Sequence, residues 1–258
     1  MTKKPRILIT NDDGISAPGL KHLWATLVDF ADVYIIAPES EQSGKGVAIT
    51  LRRPLHPQAV LWERGTPAWL INGTPADCVR LGMGFLLDQQ PDLILSGINR
   101  GANLGRNIFY SGTVGGIIEG ALKNVPGIAF SCFDFHSPDY KAVEPFIQPM
   151  VEQILEYPLP PGTFLNVNFP EGTIRGIKLA RQGMGYWIES VEKRIHPEGH
   201  PYYWLGGKWS KHEEHEESDV YLLQQGYGAA VPINVNEMTD YNVLQQHKQR
   251  FDQLFIPR

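Results

Sequence analysis

The sequence is short of cysteine, with two in 258 residues, Cys78 and Cys132, and each lies in an apolar neighbourhood. So few exclude a disulfide-held scaffold, and both read as small buried hydrophobes. Long hydrophobic runs are missing too. No stretch approaches the roughly 20 apolar residues that cross a bilayer. The start "MTKKPRILITNDDG" is basic, but its apolar run stops too soon for a secretory signal, so a cytoplasmic protein is expected. Positive charge is scarce: 23 Lys and Arg against 28 Asp and Glu leave a net charge of −5, which argues against a nucleic-acid polymer as partner. Internal repeats, low-complexity tracts and a recognisable linker are all absent. The chain, 1–258, therefore reads as one domain, and its 42% hydrophobic content supplies a sizeable core without staples.

What is present is an alternation of strand and helix. "RILIT" is short, continuous and branched, as a buried parallel strand should be. "SAPGLKHLWATLVDF" predicts a helix, with Ser16 as cap, Pro18 in the first turn, and Leu20, Leu23, Trp24, Leu27 and Val28 on one face. "DVYIIAP" reads as a second strand, and the proline- and tryptophan-containing stretch up to Asn72 as short antiparallel strands. A helix over 75–87 follows a Thr74 cap, then a strand over 91–97, a glycine- and asparagine-rich loop, a helix opened by "SGT", and the strand "GIAFSC". A helix over 140–157, the strand "GTFLNVNFP", a helix-then-strand over "SDVYLLQQGYGAAVPIN" and a terminal helix over 241–254 complete the pattern. The expected fold class is α/β: a Rossmann-like, mostly parallel sheet with helices on both faces. The core spans about residues 5–185. Residues 186–217, rich in Tyr, Trp, His, Lys and Glu without helical period, predict a protruding hairpin, with 186–258 forming a C-terminal arm and extension for oligomerisation.

In such sheets ligands bind beyond the carboxyl ends of the strands. That places Asp12 and Asp13, the Ser43 loop and the loop from Asn99 to Ser111 on one rim. Two adjacent acids after a buried strand repel each other. A polar turn explains one Asp-Gly, but a pair points to a divalent cation, which takes oxygen ligands and offsets the repulsion. In "SGINRGANLGRNIFYSGTVGGIIEGAL", glycines allow close backbone approach, and Ser111, Gly112 and Thr113 open a helix whose free N–H groups suit phosphate. In "SEQSGKG" the Ser43 hydroxyl could ligate a metal and Lys45 could balance phosphate charge, while a solvated loop explains the segment equally well. "HEEHEE" has its histidines three apart rather than the four of a zinc protease, and reads as a solvated acidic face. The aromatics Tyr202, Tyr203, Trp204 and Trp209 lie beside that acid run, which fits a subunit contact better than base stacking.

Taken together, "ILITNDDGISAPGL", "PESEQSG" and "SGINRGANLGRNIFYSGTVGGIIEGAL", with "NGTPADCV" and "QGYGAAVPIN", closely resemble the motifs of the SurE family, the stationary-phase survival proteins that act as 5′-nucleotidases. The likeness spans nearly the whole chain. It implies a Rossmann-like fold and one divalent cation, Mg or Mn, held by Asp12, Asp13, Ser43 and Asn99, with the two aspartates in the catalytic role. It also implies a phosphate site at Asn103, Ser111, Gly112 and Thr113, a nucleoside monophosphate substrate, and a homodimer or homotetramer. 3′-Nucleotidase and exopolyphosphatase activities would follow from the same resemblance. The long aromatic and acidic stretch before Ser218 departs from the pattern and bears on the assembly. Two rivals stand beside this reading. A phospho-receiver domain needs an acceptor aspartate at the end of a central strand, where "PDLILSGINRG" offers none. A non-catalytic nucleotide sensor is separated from an enzyme by turnover.

Overall fold

The computed structural model describes residues 4–210 and 212–254. Residues 1–3 of the basic start, Lys211 in the expected arm, and residues 255–258 lie outside them. Nine strands form one sheet: β1 (Arg6–Thr10), β2 (Asp32–Pro38), β3 (Gln58–Val60), β4 (Ala68–Ile71), β5 (Leu93–Arg100), β6 (Gly127–Cys132), β7 (Thr163–Phe169), β8 (Ile177–Leu179) and β11 (Gly228–Asn234). Their order is β3-β4-β2-β1-β5-β6-β7-β11-β8. Strands β4 through β7 run parallel, and β3 and β11 pair antiparallel with β4 and β7. From β1 the chain winds outward through β2 to β4, then returns to place β5 on the other side of β1. The strand order therefore reverses between β1 and β5, and a crevice opens at their carboxyl ends.

The alternation of side chains along each strand divides the core. Ile7, Ile9, Leu93, Leu95 and Phe130 face a cluster under α1 (Pro18–Ala25) and α4 (Tyr140–Glu156), whereas Leu8, Ile36, Ile94 and Ala129 face α2 (Pro75–Leu81) and α3 (Gly112–Ala121). Helices cover both faces, as the strand–helix alternation predicts. Each fully buried Leu or Ile contributes about 1.5–3 kcal/mol. The short helices depend on that burial, because eight residues are too few for a stable helix alone.

Four local expectations change. Ser16 does not cap α1. The helix begins one residue later, with Ala17 at the cap position and Pro18 at its start. It also ends at Ala25, where the Thr26 hydroxyl turns back to the Leu23 carbonyl at 2.8 Å, and the chain continues as turns. The helix expected over 75–87 is regular only to Leu81 and then widens into a π turn over Gly82–Leu86. Gly82 lies so close to Leu8 and Ile36 of the sheet that a Cβ would meet each at 2.7 Å. Its start is as expected, with Thr74 and Asp77 forming a reciprocal capping box. Strand β5 runs on to Arg100, so Asn99 is on the strand and not in the loop. The ladder to β6 shifts register between Ser96 and Asn99, and that irregularity re-aims the strand end.

The hairpin is present: β9 (Trp187–Ile195) pairs antiparallel with β10 (Pro201–Trp209) and stands away from the sheet. α5 (Asp219–Gln224) and α6 (Tyr241–Leu254) follow. Cys78 and Cys132 are both buried thiols. Among the described residues no helix is long and apolar enough to cross a membrane.

Candidate active site

The crevice between β1 and β5 gathers the residues singled out from the sequence. Directly after β1, Asn11 donates to the Gly14 carbonyl at 2.9 Å and Gln42 N–H to the Asp12 carbonyl at 2.7 Å. These bonds fix the two acids in place. The Asp12 side chain is buried, and its Oδ1 accepts the Thr113 hydroxyl at 2.6 Å. Gly112 is required at the start of α3, because a Cβ there would lie 2.7 Å from Asp12 Cβ. Gly115 has the same purpose one turn on, where the carbonyl of Gly46 would sit 2.2 Å from a Cβ. The "SEQSGKG" loop thereby docks directly on α3, which decides against a merely solvated loop. Asp13 Oδ2 accepts the Arg100 N–H at 3.3 Å. Asn99 donates its amide N–H to the Gly101 carbonyl at 2.7 Å.

Asp12, Ser43, Asn99, Asn103 and Ser111 line one open cavity of about 1700 Å³. Asp13, Gly112 and Thr113 stand immediately behind that lining through the contacts just given. Two placements differ from the simplest expectation. The Ser43 hydroxyl is directed at Glu41, 2.8 Å away, and not at the acid pair. Thr113 commits its hydroxyl proton to Asp12, which leaves its backbone as the part nearest a phosphate role.

Other polar residues support the site and escaped the sequence reading. Asn103 is clamped from two strands and a helix, β7, β6 and α3. Its N–H donates to Asn168 Oδ1 at 2.8 Å, its carbonyl accepts from Asn166 and Asn168, and its side chain donates to Ser131 and Thr113. The signal was available in "TFLNVNF", where two asparagines share one face of an otherwise apolar, fully buried strand. Asp219 likewise accepts the N–H groups of Gly105 and Gly183 at 3.0 and 2.9 Å, joining the cavity loop to the root of the arm. Burial raises the pKa of Asp219 above the usual carboxylate range. Glu214 of "HEEHEE" accepts the Gly185 N–H at 2.8 Å, so this acidic run helps anchor the arm.

The electrostatics are one-sided. Burial raises the Asp12 carboxyl above its ordinary range, only partly offset by the Thr113 hydroxyl. Burial, and then the neighbouring charge of Asp12, push Asp13 up to about 6 despite the Arg100 N–H. Arg100 itself stacks over Phe135 at 4.6 Å and pairs loosely with Glu41 at 3.8 Å. Among the described residues, neither aspartate is in an ion pair. Two desolvated carboxylates, with Asn99 in the lining of the same cavity and the Ser43 hydroxyl turned to Glu41, offer oxygen donors of the kind a hard dication takes.

A protein-family model described as survival protein SurE matches residues 7–189. The chain belongs to the SurE family. It is 49% identical over 257 residues to the 5′-nucleotidase SurE of Protochlamydia amoebophila (strain UWE25), covering 98% of each chain. It is 40% identical over 247 residues to the 5′-nucleotidase SurE of Flavobacterium psychrophilum, covering 94% of this chain and 96% of that one. The crystal structure of the SurE protein from Aquifex aeolicus superposes with a TM-score of 0.82 at 36% identity, over 96% of this chain and 100% of that one. The SurE fold thus accounts for the nine-stranded sheet and the small antiparallel arm together.

The raised pKa of Asp13 makes a prediction about the metal-free protein. Below the ordinary carboxylate value of 3.8, folded and unfolded chains are both protonated at this position. As pH rises toward and past about 6, the folded chain must carry a charge that its surroundings disfavour, so this contribution to stability is lost. In excess chelator, the melting temperature of the parent minus that of Asp13→Asn should rise as pH falls from about 7.5 to about 5. Calorimetry showing a flat difference would contradict the assignment.

Proposed function

We propose that this SurE-family protein is a metal-dependent phosphomonoesterase that hydrolyses nucleoside 5′-monophosphates to nucleoside and phosphate. The observation that carries the reading is the unpaired, desolvated carboxylate pair at the point where the strand order reverses, facing the start of α3. The 5′-nucleotidase names of the full-length relatives support it. Asp12, Asp13, Ser43 and Asn99 would hold one divalent cation, Mg or Mn. When bound, that cation supplies charge neutralisation and polarisation of a phosphoryl oxygen. For Ser43 to join, its hydroxyl must turn from Glu41, a single side-chain rotation on an exposed loop.

The remaining work falls to the chain itself. Thr113 holds Asp12 in one orientation and satisfies a lone pair that burial has stripped of water. Gly112 and Thr113, at the positive end of α3, present backbone N–H groups to phosphate oxygens, and Ser111 caps that turn by accepting the Val114 N–H at 3.2 Å. Asn103 holds Thr113 from the opposite side, so phosphate site and acid pair are parts of one network. Apolar and aromatic walls, including Phe109, Tyr110 and Phe135 from the core and Trp187 and Trp209 from the arm, receive the nucleoside. The cavity's size accommodates varied leaving groups, which supports 3′-nucleotidase and exopolyphosphatase activity as side reactions.

The arm also supports an oligomer, a homodimer or homotetramer. Trp187, Val191, Ile195, Tyr203, Trp204 and Leu205 are all exposed on it, more apolar surface than an isolated ribbon needs. The stretch before Ser218 belongs to the SurE fold and serves as an extended contact element.

Turnover of a nucleoside monophosphate should vanish in excess chelator and return with Mg or Mn, and full activity in metal-free protein would refute the mechanism. Thr113→Val removes one hydrogen bond to a buried carboxylate, so kcat/KM should fall by a factor corresponding to about 1–3 kcal/mol, with weaker apparent metal affinity. Steady-state kinetics at several metal concentrations checks both. An unchanged kcat/KM would mean that Thr113 does not organise Asp12.

For the assembly, residues 190–206 can be exchanged for a short Gly-Ser turn, which leaves the anchored root intact. Light scattering should then report a smaller particle with the core still folded. An unchanged mass would place the main contact elsewhere.

A further inference from the structure

At the far end of the arm, β9 and β10 are joined by His196, Pro197, Glu198, Gly199 and His200. Two backbone bonds close this turn: His196 N–H donates to the His200 carbonyl at 2.9 Å, and Gly199 N–H to the His196 carbonyl at 2.8 Å. Gly199 reverses the chain at φ +89°, a conformation that suits glycine. Closure brings side chains four residues apart onto one side. The two imidazole rings stack with centroids 4.5 Å apart and planes 14° from parallel. A Glu198 carboxylate oxygen lies 3.8 Å from His196 Nδ1, and one ligand atom from each of the three residues falls within 4.8 Å of the others. Tyr202 packs edge-on against the His196 ring at 6.5 Å.

We propose that His196, Glu198 and His200 form a second cation site, for one transition-metal dication of the imidazole-binding class: Zn²⁺, Ni²⁺ or Cu²⁺. The donor set decides the class. Two imidazoles and one carboxylate select borderline metals, whereas the oxygen donors at Asp12 and Asp13 suit a hard cation, so the two sites differ in the ion they prefer, and excess Mg²⁺ is needed to hold a transition metal off the acid pair. Preorganisation favours binding, because three ligands come from five residues of a turn already closed by its own backbone. A tetrahedral centre with bonds of about 2.1 Å needs its ligand atoms about 3.4 Å apart. Rotation about the exposed side-chain bonds supplies that contraction, and water completes the coordination. The metal would tie together the two strands of an arm that stands away from the core. Its effect is local, since the arm reaches the cavity through its root and middle, from Trp187 and Trp209 to Leu205, and not through this turn.

The test uses the untagged full chain, stripped of metal and held in millimolar Mg²⁺ so that the acid pair is occupied. Zn²⁺ titrated by calorimetry should show one site per chain beyond any exchange with Mg²⁺ at the acid pair. His196→Ala/His200→Ala should weaken it about 100-fold or more, given that even a metal ligand's outer partner is worth about 10–100-fold. Glu198→Gln should weaken it less. Cu²⁺ loaded under the same conditions should show nitrogen hyperfine structure by electron paramagnetic resonance in the parent and not in the double variant. Nucleotide turnover in Mg²⁺ should be equal in both, because of the turn's hydrogen bonds the change removes only that from Glu198 N–H to His196 Nδ1 at 3.3 Å, while the two backbone bonds survive and the turn lies outside the cavity lining. Identical Zn²⁺ isotherms for parent and double variant, or no Zn²⁺ binding to the Mg²⁺-loaded parent, would overturn the proposal.

Discussion

Repulsion between Asp12 and Asp13 is the constraint around which this molecule is arranged. Strand β1 delivers both carboxylates to the crevice where β5 departs in the other direction, and burial strips them of much of their water. Charges in such a place are expensive unless paired. The chain offers partial relief only: a hydroxyl from Thr113, an N–H from Arg100 and the start of α3. Arg100 spends its guanidinium on Phe135 and Glu41. The folded chain thus keeps a deficit of positive charge where a dication and a phosphate would meet.

That deficit must be held rigidly, since a carboxylate free to swing away would relax it. The bracing comes from several elements at once. Gly112 allows α3 to press against Asp12, and Gly115 lets the Ser43 loop rest on the same helix. Asn103 carries the restraint across to β6 and β7 through Ser131, Asn166 and Asn168, each buried within the sheet. Asp219 then joins the cavity loop to the arm's root. Such networks rigidify to the extent that their members are satisfied, and here asparagine amides and backbone groups answer one another, with Asn166 Oδ1 the buried atom left without a partner among the described residues.

Much of this was legible in the sequence, for physical reasons. Buried parallel strands are continuous and apolar, so "RILIT" and "GIAFSC" declared themselves. An acid pair after such a strand and a Ser-Gly-Thr helix start carry chemistry in their residue types. The parts not legible depend on what tertiary structure brings together. Nothing in the sequence says that Thr113 spends its hydroxyl on Asp12, 101 residues away. Asp219 reads as an ordinary first-turn acid, since its partners Gly105 and Gly183 are known only once the loop has docked. Ser16 failed as a cap because the turn after β1 starts the helix one residue later. His196 and His200 gain a shared purpose only when the hairpin turn closes, and a spacing of four in a strand-rich segment gives no warning of that.

The proposed role of the acid pair is to hold a cation against phosphate. Crystals grown with Mn²⁺ and a nucleoside monophosphate, measured at the manganese anomalous edge, test it most directly. An anomalous peak is expected in direct contact with carboxylate oxygens of both Asp12 and Asp13, with Ser43 and Asn99 completing the protein ligands and the phosphate lying between that peak and the start of α3. No peak at the acid pair, or a phosphate bound away from α3, would contradict it.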